Sequence, residues 1–276
     1  MIIERTIDPD YLAYQYGDSE KLRIRIESHE RYSEDTGDWL APILARLRPW
    51  PGCTLLDVGC GFGRVHPRLC AAGARVVGID RSLGMVREAH RQAVRDGLPV
   101  QVLQADAQAL PLADTTFDLA FASHMLYHVP DIPRALEEMR RVVKTGGRVL
   151  LTTNASDHSA RLNELHARAA RDLGYSAVEN SVTGRFSLDD LPLVRSVFPT
   201  AECHALPNAF LFPTVDAALR YYASGRVDSI AERRPDGSHR PPLLARMGEL
   251  IGEIIAREGV FRVPKDNGFF VATAEG

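Results

Sequence analysis

The 276-residue chain predicts an α/β fold: a parallel sheet covered by helices on both faces. Three observations carry this prediction. Short, almost continuously apolar runs alternate with helical segments between residues 53 and 154, the pattern of strands buried on both sides. A glycine-rich turn, Gly59 to Gly63, separates the first such strand from the first such helix. Asp80 and Asp106 then close the second and third strands, where open α/β sheets bind ligands.

The elements follow in order. Residues 1–50 are polar and helical; Tyr14, Tyr16, Leu22, Ile24 and Ile26 lie among charges. Trp39, Leu40, Ile43, Leu44 and Leu47 then recur at helical spacing until Pro51-Gly52 stops the pattern. CTLLDV (53–58) is a buried-strand run, and 64–72 a helix. ARVVGID (74–80) is the second strand, followed by a helix with Ser82 as its N-cap and Gly97 as its stop. PVQVLQAD (99–106) and FDLAFAS (117–123) are the third and fourth strands. A helix over 131–144 ends at Gly146-Gly147, before the fifth strand, RVLLTTN (148–154).

Beyond Asn154 the alternation lapses. Residues 157–174 read as helix, and Ser187 caps a short helix reaching Phe198. A strand over 201–206, an apolar run over 208–212 and a helix over 215–224 come next. RRPDGSHRPP (233–242) is a loop rich in turn formers, and 243–257 is helical. The final stretch, FRVPKDNGFFVATA, reads as a β-hairpin over 259–274, turning at Lys265 to Gly268.

Composition narrows the function. The chain is 45% hydrophobic and 25% charged, an ordinary globular balance that excludes disordered and fibrous classes. With 36 acidic against 33 basic residues, the net charge of −3 offers no basic face for nucleic acid. No apolar run approaches the roughly 20 residues that span a bilayer, and MIIERTIDPD lacks the apolar core of a signal peptide, so a cytoplasmic protein is expected. Cys53, Cys60, Cys70 and Cys203 form no CxxC pair, so neither a disulfide framework nor a metal site is expected. Lysine occurs only at 21, 144 and 265; the many arginines are scattered and matched by acids.

The segment LLDVGCGFGR (55–64) is the most informative. Its glycines permit close approach of backbone to a ligand, and the helix start behind them favours an anionic group. The spacing is GxGxG with Asp57 two residues ahead, whereas the dinucleotide pattern is GxGxxG. A carboxylate at Asp80 is placed to accept hydrogen bonds from both ribose hydroxyls, and Asp106 from an exocyclic amine of adenine. Together these point to a nucleoside-containing cofactor without naming it.

LLDVGCGFGR, GID ending at Asp80, QADAQALPLADTTFD, ASHMLYHVPD and RRVVKTGGRVLLTTN resemble the successive motifs of class I S-adenosylmethionine-dependent methyltransferases. The nearest group is that of bacterial small-molecule enzymes related to the ubiquinone and menaquinone C-methyltransferases. The likeness is dense over 53–154, and YGDSEKLRIRIESHERYS resembles the N-terminal helix of bacterial members. It implies one Rossmann-like, doubly wound domain over 1–276, with a seven-stranded sheet whose last strand is antiparallel. The corresponding parts are an N-terminal cap over 1–50, a cofactor core over 53–154 and substrate lids over 155–198 and 213–258.

Carried over by position, the resemblance implies that Asp57, Gly59 and Gly61 hold the methionine end of S-adenosylmethionine, with Cys60 inside the loop as a buried thiol. Asp80 would bind the ribose, Arg81 and Met85 would flank the adenosine, and Asp106, Ala107 and Gln108 would border the adenine. Ser123 and His124 would line the floor beside the sulfonium. The N-terminal helix, with Arg25 and His29 and with Tyr16 upstream, would close over the cofactor, Arg25 pairing with its carboxylate.

His124, Tyr127 and His128, following the fourth strand, are the candidate catalytic residues. A histidine there accepts a proton near neutral pH, or else only shapes the pocket. His158, Glu164 and His166 either enter the substrate pocket or lie on a helix surface, and His158, His166 and His204 lack metal-ligand spacing. The expected activity is methyl transfer to O, N or C of a small molecule, possible substrates including secondary metabolites, by a monomer or homodimer. The alternatives are an enzyme acting on a peptide or other macromolecule, a non-catalytic cofactor-binding protein, and a nicotinamide oxidoreductase.

Overall fold

The apolar runs between residues 53 and 154 become β1 (Thr54–Val58), β2 (Arg75–Asp80), β3 (Gln101–Gln104), β4 (Phe117–Ser123) and β5 (Val143–Asn154) in the computed structural model. The structure describes residues 7–8, 19–178 and 182–275. Tyr14 and Tyr16 lie outside the described residues. The five strands pair in parallel in the order β3-β2-β1-β4-β5. β9 (Asn267–Thr273) joins β5 antiparallel, and β6 (Glu202–Leu206) completes the seven-stranded sheet beyond it. This is the expected doubly wound, Rossmann-like arrangement with an antiparallel last strand.

Caps written in the sequence start the helices. Ser82 Oγ accepts from Met85 N at the start of α4 (Leu83–Arg95), and Asp131 from Arg134 N at the start of α5 (Ile132–Val142). α2 (Leu40–Leu47) buries Leu40, Ile43 and Leu47, the apolar face its spacing predicts. α3 (His66–Ala71) follows the glycine turn.

The terminal segment differs from the hairpin expected over 259–274. Its two strands form, but β8 (Phe261–Pro264) pairs with β7 (Ala209–Phe212) in a separate two-stranded sheet, while β9 enters the main one. Burial explains the split. β8 alternates between buried and outward positions, as a one-sided strand does, whereas β9 buries Gly268, Phe269 and Phe270 consecutively, as an interior strand does.

Two apolar clusters frame the cavity described below. One joins the sheet to α5 and to Phe186, Val194, Val197 and Phe198, which places α7 (Leu191–Val197) in the helical layer of the main sheet. The other gathers Leu162 of α6 (Ala160–Asp172), Phe210 and Phe212 of β7, Tyr222 of α8 (Val215–Ala223), Met247 and Ile251 of α9 (Arg240–Glu258), and Phe261. α1 (Glu20–Tyr32) bridges them: Arg64 pairs with its Glu30 at 3.0 Å, while its Tyr32 ring lies tilted against Phe212 at 5.4 Å and its Glu27 pairs with Arg220 at 2.7 Å.

Candidate active site

The carboxyl ends of β1, β2 and β4 open into one cavity of about 1300 Å³, which α1, α8 and the β8–β9 link also line. At its β1–β3 side the chain turns through Gly59 with φ +69, and a Cβ there would lie 2.7 Å from Met125. Only glycine combines that backbone with that contact. Asp80 stands across the turn: its Oδ2 accepts from Gly61 N at 2.9 Å and its Oδ1 from Ser82 N at 2.8 Å. Burial raises its pKa against the pull of those two N–H groups.

Asp57 is buried and its Oδ2 meets His66 Nε2 at 3.1 Å. His66 was not anticipated; its position three residues after Gly63, on the first turn of α3, is the only sequence sign of it. Cys60 is buried, its thiol pushed well up by burial and by the nearby Asp57 and Asp80, so it is an inert thiol in the cavity wall. Arg81, Met85, Asp106 and Ala107 line the same side.

Gln108, expected to border the adenine, is not among the residues that line the cavity. Its backbone N and side-chain Nε2 both donate to Asp106 Oδ1 at 2.9 Å, and its Oε1 accepts from Asp131 N at 2.9 Å. It positions Asp106, which lines the cavity, against the start of α5. Arg141 secures the next stretch by donating to the carbonyls of Leu110 and Leu112 and pairing with the buried Glu138 at 2.7 Å.

After β4 the backbone of His124 adopts φ +51, held by hydrogen bonds from its N to Thr152 O and to Thr152 Oγ1, both 3.1 Å. Ser123 Oγ meets the same Thr152 hydroxyl at 3.1 Å. Tyr127 and His128 follow on a 3₁₀ turn, their rings edge to face at 4.6 Å, and Arg185 clamps that turn through the carbonyls of Tyr127 and Val129. All four residues from 123 to 128 named as candidates line the cavity. Arg25 lines it as well, donating through Nη1 to Ser224 O at 3.3 Å.

The opposite side holds His158, for which the sequence left pocket and helix surface open, and groups the sequence reading passed over. His158 lines the cavity, and so do Asn154 and Asn267, paired across β5 and β9. Lys265, read above as a turn residue, is only 2% exposed. By contrast, His166 is buried on α6 between Tyr222 Oη at 2.7 Å and Ser229 O at 2.8 Å, and His204 stacks on Phe269 at 5.0 Å. Among the described residues no group of His, Cys, Asp and Glu side chains gathers to hold a metal ion. No helix among them is long and apolar enough to cross a membrane.

Burial, the largest cause, and neighbouring positive groups lower the pKa values of His124 and His158 to about 4, and that of His29 well below its usual value. For a base whose folded pKa lies below the unfolded 6.5, the unfolded chain binds more protons between those two values. Stability is therefore expected to fall as pH drops from about 6.5 to 4, by roughly 2–3 kcal/mol for each such imidazole. Thermal melts across this range check it: a His124→Asn/His158→Asn variant should show a flatter decline, and an unchanged slope would contradict the assignment.

The β1–β4 side of this site lies in a segment that matches a known family. A model of the methyltransferase domain matches residues 56–151. Residues 56–151 form a methyltransferase domain. The chain is 38% identical over 140 residues to a malonyl-[acyl-carrier protein] O-methyltransferase of Pseudescherichia vulneris, covering 51% of this chain and 52% of that protein. It is 36% identical over 130 residues to a demethylmenaquinone methyltransferase of Thermobifida fusca, covering 47% and 52%. The chain thus spans about half the length of these curated relatives. A putative methyltransferase structure from Bacillus halodurans superposes with a TM-score of 0.59 at 19% identity, covering 87% of this chain and all of that one, a likeness of fold.

S-adenosylmethionine is the cofactor of this family, and the groups of the methyltransferase domain fit it. The half-buried carboxylate of Asp80 and the carboxylate of Asp106 supply acceptors for a nucleoside on one wall, beside a glycine turn too close to Met125 for a side chain. That wall presents carboxylates, as a cation-bearing nucleoside requires.

Proposed function

We propose that the protein transfers the methyl group of S-adenosylmethionine to O, N or C of a small molecule, within secondary metabolism. The observation that carries this reading is the single cavity with two unlike walls: carboxylates and a glycine turn along β1–β3, and histidines, amides and aromatic rings where β5, β9 and α1 meet. Asp80 holds the ribose hydroxyls, Asp106 and Ala107 the adenine edge, Gly59, Gly61 and Asp57 the methionine end, and Arg81 and Met85 flank the adenosine. Arg25 faces the cofactor carboxylate. When bound, S-adenosylmethionine supplies an electrophilic methyl group on a sulfonium.

The chain then has to align an acceptor and exclude water. Ser123, His124, Tyr127 and His128 form the wall on which the acceptor is aligned. His124, with a pKa of about 4, is neutral at physiological pH and a poor resting place for a proton. Its part is to accept a hydrogen bond and orient the nucleophile. The bond from Arg25 to Ser224 O and the Glu27–Arg220 pair tie α1 to the α8 end over this wall, an arrangement that favours a small acceptor over a macromolecule.

The test is ligand-dependent stability. S-adenosylmethionine and S-adenosylhomocysteine should each raise Tm, and by about 2.7 kcal/mol of added stability at 100 times Kd, whereas NAD should leave it unchanged. No shift with either sulfur compound would sink the reading, and a shift with NAD alone would turn it toward an oxidoreductase.

A further inference from the structure

Lys265 sits on the link between β8 and β9, 98% removed from solvent, yet on the cavity wall. Its Nζ donates to Ser33 Oγ at 2.6 Å and meets His29 Nδ1 at 3.0 Å, and it lies 4.5 Å from the centroid of Phe210. Among the described residues no carboxylate lies within ion-pair distance of it. Other charges of the pocket are anchored: Arg64 pairs with Glu30, Asp57 with His66, and Asp80 accepts from two N–H groups.

A buried ammonium without a counter-charge is costly. Burial accordingly lowers its pKa to about 8, with Asp35 the only nearby group pulling it back up. The surrounding groups do not supply an anion. Ser33 donates its own hydrogen bond to His29 O, His29 and His158 are uncharged at neutral pH, and Arg226 adds a second cation to the same wall. Tyr221, 4.6 Å from Phe210, lines the same cavity with Leu162 and Leu206, and these give it apolar surface.

Resting on the methyltransferase reading, we propose that Lys265 is the anchor for a carboxylate on the acceptor, which is a small carboxylic acid with an apolar body. Its ammonium keeps one N–H beyond those given to Ser33 and His29, and an incoming carboxylate supplies the missing charge where water is largely excluded. Asn154 and Asn267 add amide donors at the adjacent strand ends. The cofactor's own carboxylate is given instead to Arg25, one helical turn before His29 on the same cavity wall, and S-adenosylhomocysteine binding by the Lys265 variant tests that division.

The experiment uses the full chain, with benzoate, phenylacetate and octanoate as probes, each set against its primary amide. Binding is measured by calorimetry without cofactor and again with S-adenosylhomocysteine present. At least one acid of the series should bind 10-fold or more tightly than its amide, and Lys265→Met should weaken that acid at least 10-fold while leaving the amide and S-adenosylhomocysteine within about 2-fold. Met keeps the apolar stem against Phe210, and retained S-adenosylhomocysteine binding reports an intact fold; Lys265→Arg should keep the preference for the acid.

The proposal is overturned if acids and amides bind alike, if no acid binds, if Lys265→Met leaves the acid's affinity unchanged, or if it weakens S-adenosylhomocysteine in parallel. Wild-type protein that binds acids but not S-adenosylhomocysteine would overturn the methyl-transfer reading and leave the anion site standing.

Discussion

Asp80→Ala is expected to weaken S-adenosylhomocysteine binding by at least about 100-fold while leaving the unliganded protein about as stable as before. The affinity loss follows from what the carboxylate offers. Each oxygen already accepts one backbone N–H, from Gly61 or Ser82, and keeps lone pairs for a ribose hydroxyl. Hydrogen bonds to a charged group are worth about 1.5–3 kcal/mol each, so losing two removes about two decades of affinity or more. Small change in stability follows from two opposed terms. Burial holds the Asp80 pKa above its ordinary value. A carboxyl whose folded pKa is raised binds its proton more tightly when folded, so it lowers stability above that pKa, and removing it relieves that cost. Against this stands the loss of two anchored N–H groups, which cavity water can satisfy. Isothermal titration and thermal melts on the same sample check both halves. Unchanged affinity would show that the ribose is held elsewhere, and a large fall in Tm would show that Asp80 is chiefly structural. Asp80→Asn, which keeps one acceptor oxygen, should fall between wild type and Asp80→Ala in affinity.

The contrast between Asp80 and Lys265 shows which parts of the site were legible in the sequence. Asp80 could be found because its neighbours in sequence are also its neighbours in space: the strand ends, the chain turns, and Ser82 caps the next helix. The same holds for Gly59, Asp106 and Ser123, each at the carboxyl end of a strand or just beyond it. For Gln108 local order gave the position but not the rotamer: its amide is spent on Asp106 and Asp131.

Lys265 carries no such local signature. Its partners, His29 and Ser33, are more than 230 positions away in sequence, and the turn-like KDNG stretch concealed that the strands on either side belong to different sheets. One sign was available: FRVP alternates in polarity while GFFVA does not, and a strand buried on both faces cannot lie at the edge of a two-stranded hairpin. The second apolar cluster was illegible for the same reason. Leu162, Phe212, Tyr222 and Met247 come from four separate segments, and periodicity shows which face of a helix is apolar but not what covers it.

Gly268→Ala should produce the largest loss of stability, about 3 kcal/mol or more, because it strikes where those two halves meet. Gly268 lies in β9 opposite Thr153 of β5 and Ala205 of β6, with paired strands on both sides. A Cβ at this position would lie 2.2 Å from His204 O, 3.0 Å from Leu188 Cδ1 and 3.1 Å from Ala205 Cα. The Leu188 methyl can turn aside, but a backbone carbonyl in a ladder cannot move without breaking hydrogen bonds between β6 and β9. Overpacking alone costs about 1–3 kcal/mol, and ladder distortion adds to it. In a protein of this size, 3 kcal/mol corresponds to a fall in Tm of about 6–12 °C. Gly252→Ala is the control: it lies within α9, where a Cβ would meet only Val215 Cγ2 at an ordinary 3.7 Å, and it should gain up to about 1 kcal/mol from helix propensity. The strain at Gly268 also reaches the acceptor wall, since Asn267 precedes it and Lys265 lies three residues before it on the same link. At a temperature where Gly268→Ala remains folded, S-adenosylhomocysteine affinity should stay near wild type while binding of carboxylates weakens. A variant as stable as wild type would show that β6 and β9 separate more easily than their register implies.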